Sequence, residues 1–174
     1  MRHLTHTDII QLLDREPLFR ELAQTADRLQ LECYVVGGYV RDLFLERPTN
    51  DIDIVVVGSG IAMAEALTKR LGRAAHLSVF KNFGTAQVKY HHQEIEFVGA
   101  RRESYSHDSR KPIVEDGTLE DDQMRRDFTI NALAVCLNAA RYGELVDPFD
   151  GLWDLACCAR PLIRILLSPT TRCV

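Results

Sequence analysis

The stretch Asp51–Val57, DIDIVVV, constrains this chain more than any other. Its β-branched residues favour extended backbone, and Gly58 and Gly60 close the run. A strand is therefore predicted here. Successive side chains on a strand leave opposite faces, so Asp51 and Asp53 share one face, about 6.5–7 Å apart along the chain. Two carboxylates so placed are able to converge on a divalent metal, and oxygen ligands of this kind suit Mg²⁺ shared with substrate phosphates. Taken alone, a D-x-D is also the plain solvated start of a strand.

The rest of the chain supplies helices and further strands. Ile9, Ile10, Leu12 and Leu13 read as helical, and Pro17 opens a second helix carrying Leu18, Leu22, Ala26 and Leu29. Cys33–Val36 is a short apolar strand ending at Gly37-Gly38, and Tyr39–Leu45 is helical until Pro48 and Asn50 break it. Ile61–Leu71 is a helix with Gly72 at its end. Val79, Thr85–Tyr90 and Glu94–Val98 read as strands, and Ala134–Leu137 with Glu144–Val146 as a closing pair. Between Ala100 and Gly117 lies a charged loop with Arg101, Arg102, Arg110 and Lys111, read as mobile. Thr118–Asn131 is predicted as one helix, N-capped by Thr118, with Glu120, Asp121 and Asp122 in its first turn. The mixed order predicts an α/β or α+β sheet domain.

Composition sets the outer limits. With 174 residues and 46% hydrophobic content, the chain has one domain's worth of length and enough apolar surface for a core. A net charge of −4 speaks against holding nucleic acid over the whole surface. No run of about 20 apolar residues suggests a membrane span, and Met1–Arg15 carries Asp8 and Asp14 without a signal cleavage site, so a cytoplasmic protein is expected. Five cysteines at irregular spacing support neither a disulfide framework nor a zinc site, and Cys33 and Cys136 read as core thiols. His91 and His92 are adjacent, on opposite faces if they lie on a strand.

Three further groups join Asp51 and Asp53 as candidates. Gly37-Gly38, at a strand end opening a helix, offers backbone N–H groups and a helix dipole to phosphate, and Arg41 reaches out from the same end. The plainer readings are a tight turn and a surface arginine paired with Asp42. Arg125-Arg126-Asp127 offers two guanidinium forks to a triphosphate or an RNA backbone. The alternative is an exposed helix face pairing with Asp121 and Asp122. Glu96, on the same strand face as Glu94, reads as a third metal-facing carboxylate or as an edge-strand charge.

Order and spacing together say more than any one of these. Val36-Gly37-Gly38-Tyr39-Val40-Arg41-Asp42, then Asn50-Asp51-Ile52-Asp53-Ile54, then Phe83-Gly84-Thr85, then Leu119–Asp122 leading into Arg125-Arg126-Asp127-Phe128-Thr129-Ile130-Asn131-Ala132-Leu133-Ala134 resemble the head of class II tRNA nucleotidyltransferases, the CCA-adding enzymes, with bacterial poly(A) polymerases as close relatives. The resemblance covers Cys33 to Gly151. It implies a polymerase-beta-like nucleotidyltransferase sheet flanked by helices, acting by two-metal phosphoryl transfer from CTP or ATP to the tRNA 3′ end with Mg²⁺. In it Gly37, Gly38 and Arg41 match the triphosphate-holding turn, and Asp51 and Asp53 match the metal-binding carboxylates. Arg126 matches a nucleotide-contacting arginine, Asp127 and Asn131 match the segment near the ribose, and Glu96 looks like the third carboxylate. The 100–117 loop looks like the family's flexible catalytic loop.

The resemblance stops near Gly151. Residues 1–32 are read as an N-terminal helical segment, 33–151 as the head, and 152–174 as a divergent tail, a truncated start of the linker to a neck and body. Leu162-Ile163-Arg164 still resembles that linker, but Ala156-Cys157-Cys158-Ala159 does not. The neck residues that select the base lie outside this pattern. CCA-adding, poly(A)-type and partial CC- or A-adding specificity therefore stay open, as does a fragment that binds nucleotide and Mg²⁺ without turnover.

Overall fold

The computed structural model describes residues 4–104 and 113–158. In chain order these form α1 (His6–Leu13), α2 (Pro17–Leu29), β1 (Glu32–Val36), α3 (Gly38–Leu45), β2 (Asp51–Val57), α4 (Gly60–Leu71), β3 (Ala75–Phe80), β4 (Thr85–Tyr90) and β5 (Gln93–Gly99). There follow β6 (Arg101–Ser104), β7 (Ile113–Asp116), α5 (Leu119–Met124), β8 (Ala134–Cys136), β9 (Leu145–Val146) and α6 (Gly151–Cys158). Helix boundaries follow local chemistry. The Thr5 side chain caps α1 and Asp8 returns the bond to the Thr5 N–H. Pro17 sits in the first turn of α2, where its missing N–H costs nothing, and Ser59 caps α4 through the Ala62 N–H.

One sheet runs in the order β3-β4-β5-β2-β1-β8-β9. Strand β2 lies parallel to β5 and antiparallel to β1, and the remaining neighbours are antiparallel. This is the expected mixed sheet flanked by helices. Its strand alternation divides the hydrophobic residues between two faces. Ile52, Ile54 and Val56 of β2, Val35 of β1 and Phe97 of β5 join one large core. Leu13 of α1, Leu22 of α2, Phe44 of α3 and Leu67 of α4 cover it. The N-terminal helices thus belong to the same core as the sheet. On the opposite face Tyr34, Val36, Val55, Ala134 and Cys136 form a smaller cluster roofed by Leu119 of α5. That face is left open where Asp51 and Asp53 stand.

Four expectations change. The Ala100–Gly117 loop has paired ends: β6 and β7 form a hairpin in register Arg101↔Asp116 to Ser104↔Ile113, and Arg110 and Lys111 lie outside the described residues. The helix from Thr118 ends at Met124, and a separate 3-10 turn spans Thr129–Asn131. The break has a polar cause: the Gln123 side chain donates to the Ala132 carbonyl and the Arg126 side chain to that of Asn131. Phe128 is consequently drawn out to extended backbone between them. His91 and His92 occupy the turn between β4 and β5, with His91 at φ 53°, so they are not strand neighbours. Glu96 lies on β5, an interior strand, which removes the edge-strand reading. Cys33 and Cys136 are buried free thiols, as expected.

Candidate active site

The site is built on the turn between β1 and α3. Gly37 adopts φ 69°, ψ −131°, a conformation that residues with a Cβ rarely reach. Space gives a second reason for glycine: a Cβ built there would lie 3.1 Å from Arg126 Nη1 and 3.4 Å from Asp53 Oδ2. The backbone of the turn thus passes directly under two groups brought from β2 and from the segment after α5. Gly37 N–H is tied to the Leu133 carbonyl, while no side chain caps α3. The first N–H groups of α3 therefore have no side-chain acceptor.

Asp51 and Asp53 leave the open face of β2 as predicted, Asp51 exposed and Asp53 half-buried. Parallel pairing sets Asp51 opposite Glu94 and Asp53 opposite Glu96. Burial pushes the Asp53 carboxyl above its ordinary value; Arg126 pulls it back, and Asp51 and Asp122 add to the rise. Glu96 stands beside Asp53 in the sheet but is exposed. Among the described residues, no group of three or more His, Cys, Asp or Glu side chains converges as a metal site.

The arginines approach from the other side. Arg41 forms a bidentate pair with Asp42, at 3.0 and 3.1 Å, and its Nη1 donates to Asn131 Oδ1 at 3.0 Å. Arg126 donates through Nη1 to the Asn131 carbonyl at 3.2 Å and through Nε and Nη2 to Asp122. The plainer reading of Arg41, paired with Asp42, therefore holds alongside its placement at the turn; that of Arg125-Arg126 holds only for the pairing with Asp122, because α5 ends at Met124 and Asp122 is buried rather than on an exposed helix face. Arg125 also binds Asp122, on its other oxygen. Asp121 instead closes the capping box with Thr118.

The fold thus gathers Gly37, Asp53, Arg126 and Asn131 within contact, with Gly38, Arg41 and Asp51 adjoining. Asp127 is exposed and hydrogen-bonds to no described residue. Sequence reasoning missed two things. Asp122 is fully buried rather than on a solvated helix face. Asn131, expected only as part of the segment near the ribose, links two arginines. The spacing of Asp122 to Arg125 and Arg126, three and four residues on, signalled their pairing but not the burial.

This geometry has counterparts in known proteins. The family described as Poly A polymerase head domain matches residues 33–158. An A-adding tRNA nucleotidyltransferase of Aquifex aeolicus is 46% identical over 125 residues, covering 72% of this chain and 15% of its own length. One from Halalkalibacterium halodurans is 37% identical over 169 residues, covering 97% of this chain and 37% of its own. This chain thus spans well under half the length of these curated relatives. Among solved structures, a CCA-adding enzyme in an apo form superposes with TM-score 0.73 at 38% identity, covering 84% of this chain and 34% of that one. A tRNA nucleotidyltransferase complexed with a primer tRNA and an incoming ATP analog superposes with TM-score 0.68 at 40% identity, covering 78% and 36%. With the motifs, the sheet and the extent of the match in agreement, the chain belongs to the poly(A) polymerase head domain family of nucleotidyltransferases.

Proposed function

We propose that this chain is the catalytic head of a template-independent RNA nucleotidyltransferase that transfers CMP or AMP from CTP or ATP to the 3′ end of tRNA. The observation that carries this is the packing at Gly37, where one turn brings a half-buried carboxylate, a guanidinium and bare backbone together. Phosphoryl transfer asks a protein mainly to position reactants and neutralise charge, and these groups do both. The N–H groups at the start of α3, with Gly38 and Arg41, bind the triphosphate. Arg126 adds a second fork, and Asn131 holds the two arginines at a fixed separation. Asp127 and Asn131 face the ribose. The head spans 33–151, residues 1–32 are its helical flank, and the expected tail beyond 158 lies outside the described residues.

Asp51 and Asp53 would hold Mg²⁺, with Glu96 as a third carboxylate. The fit is chemical: they are hard oxygen donors, and Asp53 is held in surroundings that disfavour its negative charge, which a cation relieves. Bound there, Mg²⁺ supplies charge stabilisation at the attacking and leaving oxygens. Asp51 and Asp53 fix where that charge sits, and Arg126 draws electron density from the phosphates toward the protein. A cytoplasmic location is part of this proposal; among the described residues no helix is long and apolar enough to cross a membrane.

A second reading, addition of A alone, is favoured by the names of the Aquifex aeolicus and Halalkalibacterium halodurans relatives. One incubation separates the two: the chain with Mg²⁺, labelled CTP or ATP, and tRNA lacking its 3′ end. C followed by A is expected. A alone selects the second reading, and nucleotide binding without incorporation reduces the chain to a binding fragment. Transfer retained after Asp51→Ala and Asp53→Ala together overturns the site assignment.

A further inference from the structure

Asp122 is a carboxylate with no solvent exposure, and its hydrogen bonds are unusually directed. Oδ1 accepts from Arg125 Nε at 2.9 Å and Nη2 at 2.5 Å, and Oδ2 from Arg126 Nε at 3.1 Å and Nη2 at 2.9 Å. One anion thus holds two cations. Because the Nε/Nη2 edge of Arg126 is fully engaged, Nη1 is left pointing at the Asn131 carbonyl and at the Gly37 turn. Asn131 in turn carries Arg41 on its amide oxygen. A buried ion pair is weak evidence of stabilisation, since apolar residues of like volume often serve stability as well or better. What Asp122 supplies that an apolar residue would not is the orientation of Arg126.

We infer that Asp122 is a positioning residue: it fixes Arg126, with Arg125 beside it, as the charged edge that receives the phosphates of the incoming nucleotide. Asp122 itself touches no substrate. The ligand half of this inference rests on the function proposed above; the positioning half does not.

Two readouts test it on the whole chain. The first is hydrogen exchange of the Arg126 Nε–H, followed by nitrogen-15 NMR and assigned by its loss in Arg126→Lys. The second is affinity for ATP with Mg²⁺. In Asp122→Asn the Arg126 Nε–H is expected to lose its protection, and ATP affinity to fall about tenfold, the loss of roughly one charge-assisted hydrogen bond. In an Arg126→Lys background the same change is expected to cost no further affinity, because its effect runs through Arg126. Unchanged exchange, or losses that simply add, overturns the inference. If Asp122→Asn does not fold, Asp122→Ser is read in its place; failure of both to fold assigns Asp122 to stability alone and overturns it too. If the unaltered chain binds no ATP, the proposed function fails and takes the ligand half with it, while the exchange measurement still decides the positioning half.

Discussion

Strand β2 presents two chemistries 180° apart. On one side Ile52, Ile54 and Val56 are at most 1% exposed beneath α1–α4; on the other, Asp51 and Asp53 face an opening. The buried side is held by many weak, interchangeable apolar contacts. The open side relies on a few polar groups delivered to fixed points, among them Arg126 and Asn131 from far along the chain. Changes on the two sides should therefore fail in different currencies, stability on one and activity on the other.

The sharpest test of that division is Asp53→Ala. Removing a carboxylate that would hold Mg²⁺ at the developing negative charge is expected to cut nucleotide transfer by about 10³-fold or more, with the fold intact. Transfer assays beside circular dichroism check this. A variant that lost activity only because it unfolded would erase the distinction between the faces.

The converse is Phe97→Ala, on the apolar side of β5 in the strand register beside Ile54. A fully buried phenylalanine cut back to alanine leaves a cavity, and about 3–5 kcal/mol of stability is expected to go. Gln87→Ala, on β4 in line with Glu96 on the open face, removes only a bond to exposed Glu94 and should cost within about 0.5 kcal/mol. Urea unfolding of both compares the faces directly; equal losses would contradict the comparison.

Gly37→Ala tests the junction between the two sides. The φ/ψ pair, outside the left-handed helical region, costs roughly 1–3 kcal/mol for a residue with a Cβ, and that Cβ would press on Arg126 Nη1 at 3.1 Å. Lower stability and weaker nucleotide binding are expected together, measured by thermal melting and equilibrium dialysis. Unchanged binding would mean that the contact with Arg126 has no bearing on the nucleotide.

The unequal legibility of the two faces in the sequence follows from the same physics. DIDIVVV announces a strand, its apolar side and its acidic side, because alternation is local. The capping box at Thr118 is likewise local, and α5 begins where it was expected. Its end at Met124 was not legible, because the carbonyls that capture Gln123 and Arg126 belong to residues several positions on, in a turn that exists only once folded. Burial of Asp122 was hidden for the same reason: pairing with Arg125 and Arg126 could be foreseen from spacing, but not that the folded chain shuts the carboxylate away from solvent. The resemblance in motif order supplied the assembly of Gly37, Asp53 and Arg126 that no single segment encodes.

A modest expected effect joins the two currencies in one residue. Burial, Asp51 and Asp122 raise the Asp53 carboxyl above its ordinary value near 3.8, against the pull of Arg126. A group raised on folding contributes stability that is fully present below its unfolded value and is lost as pH rises through its folded value. Near neutral pH, without metal, ionised Asp53 therefore weakens the fold that holds it. Asp53→Asn removes that charge and is expected to melt a few degrees above the unaltered chain at about pH 7 in a chelator. The gap should close as pH falls through the raised value of Asp53 and the carboxyl takes up its proton. Asp14 and Glu144, whose carboxyls are lowered by Arg20 and Arg141, act in the opposite direction but equally in both proteins, so the difference isolates Asp53. Adding Mg²⁺ should raise the unaltered chain toward the variant and leave the variant where it was. If Asp53→Asn melts lower at about pH 7, the attraction of Arg126 outweighs desolvation, and the open face is stabilised by its charges in the same way as the buried face by its packing.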